Sequence, residues 1–248
     1  MNPWKRFYKP SGPYHVYAAE SPPPEMEPSL DGPPTHALKR TGQLRETVDP
    51  VHEVLEVKSI VVQVSKLLCQ PDMPLRIAQY SRAFGNLLAT QHLGTADAAR
   101  LGAIANVTLS DSLTACFSAK YHFAFWRPYT AIHDADTDGN PDTIADPNWI
   151  PLDPTPGHPE YPAAHGCGTE ALMDSLTAFF GTDKIPYVVT SNVTHTTHNF
   201  SSFKDVVREV DAARIYGGMH YHHSVVQGNV LGRRVSNYVM RNYFLPTE

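Results

Sequence analysis

The chain has 248 residues, 42% of them hydrophobic and 18% charged, with a formal net charge of −5. That length supports one large domain or two small ones with a real apolar core, and the mild acidity argues against nucleic acid as a partner. No apolar run is long enough to span a bilayer, and the basic start MNPWKRFYKP has no apolar stretch behind it, so the chain reads as soluble, with neither a membrane span nor a signal peptide.

Residues 1–50 are dense in proline and turn formers, as in Ser21-Pro22-Pro23-Pro24 and Gly32-Pro33-Pro34. Such composition predicts an extended arm without a core of its own, suited to wrapping the domain or building a homo-oligomer. Residues 51–248 read as a single helical domain. Helix is expected over Val51–Leu68 and over Pro74–Thr90, with proline in the first turn. A third helix is expected over Ala96–Ser118, capped by Thr95 and with Asp97 near its positive dipole end. Helix continues towards His133, bent or broken at Pro128. Residues 134–162 form a long loop rich in Asp, Gly, Asn and Pro, and loops of that length in compact domains usually carry function. Helix resumes over Ala163–Phe180, Phe203–Tyr216 and Tyr221–Tyr243, with the pair Gly217-Gly218 ending or distorting it between the last two. Residues 191–202 are polar and rich in Thr and His. No repeats and no alternating strands stand out, so the fold class is an all-α helical bundle.

Three segments carry the chemistry: Lys120-x6-Arg127-Pro128, Pro162-Ala163-Ala164-His165, and Arg214-x5-His220-x3-Ser224. A seven-residue spacing is nearly two helical turns, which puts Lys120 and Arg127 on one face. A guanidinium and an ammonium together suit an oxyanion. Neighbouring Tyr121, Phe123, Phe125 and Trp126 argue that this face is buried, and buried cations need partners. His165 stands in the first turn of a helix, where backbone N–H groups attract anions, and can move a proton there. Arg214 and His220 can converge across the Gly217-Gly218 break. His220 is then a nucleophile or a ligand to the central atom through one ring nitrogen, and Ser224, one turn later, is a candidate acceptor for the other. A solvated basic face, a capping histidine and a surface histidine cluster are the corresponding plain alternatives for each segment taken alone.

In this order and at these intervals the segments resemble the vanadium-dependent haloperoxidases and their relatives, the soluble acid phosphatases and type 2 phosphatidic acid phosphatases. That family's pattern is K-x6-R-P, P-S-G-H and S-R-x5-H-x3-D. The resemblance covers about residues 60–243, and the stretch through Phe125-Trp126-Arg127-Pro128 and Asp138-Gly139-Asn140-Pro141 looks most like the haloperoxidase-related branch. It implies that Lys120, Arg127 and Arg214 hold the oxygens of vanadate, that backbone at Ala163 and Ala164 adds hydrogen bonds, that His220 is the vanadium ligand and that His165 is the acid–base group. It further implies hydrogen peroxide, a halide and small organic acceptors as substrates, with bromide favoured by His158, or phosphate esters if the pocket works as a phosphatase.

The chain departs from the pattern at Ala163, Ala164 and Ser224, where the family has serine, glycine and aspartate. A neutral acceptor supports an imidazolium less well than a carboxylate, at a cost of roughly one to a few kcal/mol. A helical scaffold with a decayed site is therefore a third expectation. Three weaker signals remain. Asp134-x-Asp136-x-Asp138-Gly139 mimics the start of a calcium loop, but Ala145 stands where a bidentate Glu belongs. His195, His198, His222 and His223 lack an acidic helper at zinc spacing. Cys69, Cys116 and Cys167 are an odd set, and the sequons at Asn106, Asn192 and Asn199 are compatible with secretion.

Overall fold

The structure is a computed structural model that describes residues 73–152, 154–191 and 195–245, with side chains from residue 82 onward. The arm expected over residues 1–50, the helix expected over Val51–Leu68, Cys69 and Asn192 lie outside the described residues.

Six α-helices, one short 3-10 helix (Ala135–Thr137) and one hairpin are the regular elements of the described part: α1 (Met73–Thr90), α2 (Thr95–Phe123), α3 (Pro128–His133), α4 (Ala164–Phe180), β1 (Tyr187–Thr190), β2 (Thr197–Phe200), α5 (Phe203–Tyr216) and α6 (His222–Asn242). The class is the all-α bundle that the sequence implies. The hairpin is a correction to the reading without strands: β1 and β2 pair antiparallel, Tyr187 opposite Phe200 and Thr190 opposite Thr197. Only Tyr187 and Val189 of β1 point inward, so four residues bear the whole alternation.

Helix α4 is the hub. It packs most extensively on α6, then on α2 and α5. One of its faces joins a core of large side chains, where Leu172, Met173 and Leu176 meet Leu101 of α2, Tyr187 and Val189 of β1 and Phe203 of α5. Full burial of each such side chain is worth roughly 1.5–3 kcal/mol. The other face meets α2 and α6 through Ala115, Cys116, Cys167, Leu231, Val235 and Val239.

Local chemistry sets the ends of these helices. Gly94, not Thr95, is the N-cap of α2, and Asp97 lies in its first turn as expected. Ser202 caps α5 by accepting from the Asp205 N–H, while the Ser201 and Ser202 hydroxyls donate to the Asp205 carboxylate at 2.7 and 2.8 Å. Helix α2 runs past Ser118 but stops at Phe123, before the break expected at Pro128. Ala124 adopts a left-handed conformation and its N–H donates to the Lys120 carbonyl at 2.8 Å. Pro128 then opens α3 at its first position instead of breaking a continuous helix.

Candidate active site

Lys120 and Arg127 do not share a helix face. Lys120 lies in the last turn of α2, the chain turns at Ala124, and Arg127 is the N-cap of α3. They converge because the turn folds them back together, not through helical periodicity. Lys120 is wholly buried, and its Nζ donates to the carbonyls of Pro159 and Glu160 at 2.9 and 2.8 Å. Arg127 is 5% exposed and donates to the carbonyls of Met219 at 2.9 Å and His158 at 3.2 Å. The aromatic neighbours bury this region only in part. Phe123 packs on Tyr161 and Phe125 on Tyr221, but Tyr121 is 48% exposed.

The Gly217-Gly218 break works as the sequence suggests. Helix α5 ends at Tyr216, and Gly218 takes a φ of 73°. A Cβ there would lie 2.8 Å from the Trp149 ring, so the turn needs glycine. The N–H groups of Met219 and His220 close back on the Arg214 carbonyl at 3.1 and 3.2 Å. Arg214 and His220 end up 1% exposed each, in one buried cluster.

His220 is held from both sides. Its Nδ1 lies 2.7 Å from Glu160 Oε1, and its Nε2 lies 3.2 Å from Arg127 Nη1. A guanidinium only donates, so Nε2 accepts and carries the lone pair, and Nδ1 carries the proton that Glu160 accepts. Ser224 was expected to orient this ring. Instead its hydroxyl donates to Glu160 Oε2 at 2.6 Å, and the Tyr221 N–H donates to Glu160 Oε1 at 3.1 Å. The orienting acceptor is therefore Glu160, a residue that sequence reasoning missed. It sits in the Pro159-Glu160-Tyr161-Pro162 turn, and its own N–H donates to the Phe125 carbonyl at 2.9 Å.

The Pro162–His165 segment opens α4, one residue later than expected, with Ala163 as N-cap. Its backbone is only partly available to a guest. The Ala163 N–H donates to the Ser224 carbonyl at 2.9 Å, so the hydrogen bond to an anion expected from that residue is already committed. Ala164 and His165 do reach the wall of a cavity of about 330 Å³, together with His158, Arg214 and His220. First-turn amides have no intrahelical acceptor. Lys120 and Arg127 sit behind this wall. The rest of the lining is mostly apolar, from Leu109, Leu113 and Phe117 of α2 to Val189 and Phe200 of the hairpin, with the His198–Glu209 pair (2.6 Å) at its edge.

Three buried cations thus act on one buried imidazole, and two of them, Lys120 and Arg127, on the buried Glu160 carboxylate. Burial, then the charges of Arg127, Lys120 and Arg214, push His220 well below its usual value, which keeps the ring neutral. Burial lowers Lys120 to about 8, with Arg127 adding to the shift. Burial raises Glu160 to about 7, opposed by the Ser224 hydrogen bond and the Lys120 charge. His158 falls to about 4 through burial and the same two cations. Its Nδ1 lies 3.1 Å from Arg127 Nη2 and 3.2 Å from the Pro159 carbonyl oxygen. Arginine does not lose its proton, so the charge buried here is permanent, and an anion is the guest that it suits.

The minor motifs resolve into other uses. The Asp138 carboxylate accepts from the Asn140 N–H at 2.6 Å and from the Thr143 hydroxyl at 2.9 Å, forming a polar turn. His198 bonds Glu209. Among the described residues no group of three His, Cys, Asp or Glu side chains is placed to hold a metal ion. A site of one imidazole and several cations is not of that type. Cys116 and Cys167 are free and buried. Among the described residues no helix is long and apolar enough to cross a membrane.

The helical bundle is that of the vanadium haloperoxidase superfamily. The family model for the VCPO second helical-bundle domain matches residues 100–245, and the chain belongs to that family. A curated relative, the vanadium chloroperoxidase of Curvularia inaequalis, is 30% identical over 103 residues, which cover 38% of this chain and 16% of the relative. A solved bacterial vanadium-dependent iodoperoxidase superposes with a TM-score of 0.69 at 22% identity, covering 94% of this chain and 54% of its own. A holo-type bacterial vanadium-dependent chloroperoxidase gives 0.53 at 17% identity, covering 81% and 52%. The chain therefore spans about half the length of these solved relatives and a smaller share of the curated one.

Proposed function

We propose that the chain is a vanadate-dependent haloperoxidase that uses hydrogen peroxide to oxidise a halide, with bromide favoured by the family resemblance at His158, which stands on the cavity wall. The observation that carries this reading is the convergence of Lys120, Arg127 and Arg214 on an imidazole whose Nε2 lone pair is fixed by Glu160. The residues present fit a vanadate guest. His220 Nε2 would be its protein ligand, the three cations would neutralise its oxygens, and the amides at Ala164 and His165 would add donors. When bound, vanadate supplies the Lewis-acidic centre at which peroxide is activated.

The chain's own residues do the rest. Glu160 holds the proton on His220 Nδ1 and so keeps Nε2 an unprotonated acceptor, which a guest would take over from Arg127 Nη1. His165, half-buried at the wall, can take or return a proton at the guest. Leu109, Leu113 and Phe117 restrict water on one side of the cavity and offer apolar surface to a small organic acceptor.

The test is bromination of a phenol dye by peroxide, with and without added vanadate, across acid to neutral pH. The expected result is turnover that depends on vanadate and is lost in His220→Ala. Absence of vanadate-dependent turnover at every pH would remove the proposal. The same imidazole, oriented by a carboxylate, also has the make-up of a phosphoryl-accepting nucleophile. A soluble acid phosphatase is accordingly the second reading, tested by hydrolysis of a chromogenic phosphate ester and its inhibition by vanadate. The decayed-scaffold reading is weakened by Glu160, which supplies the charge that Ser224 lacks.

A further inference from the structure

We propose that Glu160 is the positioning residue of this site: its carboxylate fixes the tautomer and ring plane of His220 and supplies negative charge beside the buried cations Lys120 and Arg127. The inference rests on the reading of His220 as the ligand or nucleophile, and it assigns the orienting task to the turn before α4, not to α6.

Four observations carry it. Glu160 is wholly buried, and both of its carboxylate oxygens are engaged. Oε1 accepts from His220 Nδ1 at 2.7 Å and from the Tyr221 N–H at 3.1 Å, and Oε2 accepts from the Ser224 hydroxyl at 2.6 Å. The carboxylate is therefore seated by three donors that all come from the start of α6. Its backbone is seated independently, with its N–H on the Phe125 carbonyl and its carbonyl under Lys120 Nζ at 2.8 Å. Lys120 thus acts on His220 through the Glu160 turn as well as by charge. Finally, Ser224 Oγ touches the same carboxylate, so an acidic side chain at position 224 would reach the space that Glu160 fills. The pairing of Ser at 224 with Glu at 160 is one charge with two alternative anchor points. Ser224 is then a hydroxyl donor completing the acid's bonds, and its being neutral leaves the imidazole no less supported.

The experiment uses the full chain with inorganic vanadate and orthophosphate as probes, read by calorimetry, beside thermal unfolding. Nitrogen NMR of the histidine rings reports which nitrogen of His220 is protonated. Glu160→Gln keeps shape and removes charge. It is expected to unfold close to the unmodified chain's temperature and to bind vanadate about 10–100-fold more weakly. Glu160→Ala should bind more weakly still, and Glu160→Ala/Ser224→Asp should regain at least about tenfold of that loss. A merely structural glutamate would not be rescued by an acid on another helix. Vanadate affinity in Glu160→Gln within about threefold of the unmodified chain would overturn the inference. So would a folded Glu160→Ala/Ser224→Asp protein no better than Glu160→Ala. A His220 proton on Nε2 in the unmodified chain would overturn it whatever the binding shows. If the unmodified chain binds neither anion, it is the haloperoxidase reading that fails. The ring spectra then decide on Glu160 alone: an Nδ1 proton that gives way to a tautomer mixture in Glu160→Gln sustains its positioning role, and unchanged spectra reject it.

Discussion

The two faces of α4 are built on opposite principles. Towards α6 three glycines bring the two helices into close approach. A Cβ on Gly232 would stand 2.3 Å from the Cys167 carbonyl oxygen, one on Gly228 would stand 2.6 Å from the Ala163 oxygen, and one on Gly166 would meet Asn229 Oδ1 at 2.8 Å. Towards α2 and the hairpin the contacts are between ends of large side chains, and a cavity of about 330 Å³ remains among them. The tight face fixes the start of α6, with Ser224 and the turn at His220, against the start of α4, with His165. The loose face provides the room. A site that must hold charged groups to fractions of an ångström while admitting a guest needs both, and one helix supplies them by turning different faces to different neighbours.

The most severe break of this arrangement is Gly232→Ala. The added methyl meets rigid backbone that cannot move aside, so the helices must separate. Over-packing of this kind costs about 1–3 kcal/mol and sometimes more, and a value near the upper end is expected here. The check is the urea midpoint together with vanadate affinity, and both should fall because the seam and the site share α6. A stable Gly232→Ala protein with unchanged affinity would mean that the seam does not govern the site.

A smaller effect comes from Asp211 of α5, which touches the tight face through Asn229. Asn229 Nδ2 donates to Asp211 Oδ2 at 2.6 Å. Burial, with a smaller push from Glu170, raises this carboxyl to about 6, and the Asn229 hydrogen bond opposes the shift. The folded state therefore holds the Asp211 proton more tightly than the unfolded state. Its stabilising contribution is full below about pH 4 and is lost as pH rises through about 6. The loss is on the order of 1–2 kcal/mol after allowance for residual solvent. Glu160 titrates in the same direction, so the measure is the difference between the unmodified chain and Asp211→Asn. The unmodified chain should lose more stability than Asp211→Asn between pH 4.5 and 7. Parallel curves would place Asp211 in water instead.

Ser112 tests the joint between α2 and α4. Its buried hydroxyl donates to the Cys167 carbonyl at 2.8 Å, and Ser112→Ala should lower stability by about 1 kcal/mol in chemical denaturation. A loss within error would show that this bond adds nothing beyond packing.

The sequence made the helical frame and the Arg214–His220 pair legible for physical reasons. Long apolar-periodic segments have few readings, and two adjacent glycines between a guanidinium and an imidazole mark a break that lets both turn inward. Lys120 and Arg127 were placed together for the wrong reason. A spacing of seven is shared by a helix face and by a turn that folds back, and nothing at Ala124 announces a left-handed residue. Glu160 was invisible because a lone acid in a proline-rich turn has no period to locate it. Its partners lie about 60 positions away in the chain. The one signal that could have found it is the deficit at Ser224, since an imidazole that lacks its expected carboxylate needs an acid from elsewhere. The hairpin was missed because each strand is four residues long and β2, Thr197–Phe200, reads as polar loop.

The mildest and sharpest test of the comparison is Gly168→Ala. Gly168 lies two residues from Gly166 in the same helix but on the cavity side. A Cβ there would approach only side-chain carbons, Leu109 Cδ1 at 3.2 Å and Leu113 Cδ2 at 3.5 Å. Leu109 and Leu113 both line the cavity, so they have space into which to shift by a few tenths of an ångström. Against that small crowding stands the gain of replacing a mid-helix glycine with alanine, up to about 1 kcal/mol. The two terms nearly cancel, and the urea midpoint should move by no more than about 0.5 kcal/mol equivalent in either direction. Gly166→Ala, facing Asn229 and the Val225 carbonyl, should lose clearly more. If the two substitutions prove equally damaging, the cavity face is as rigid as the seam, and the room it offers a substrate is not adjustable.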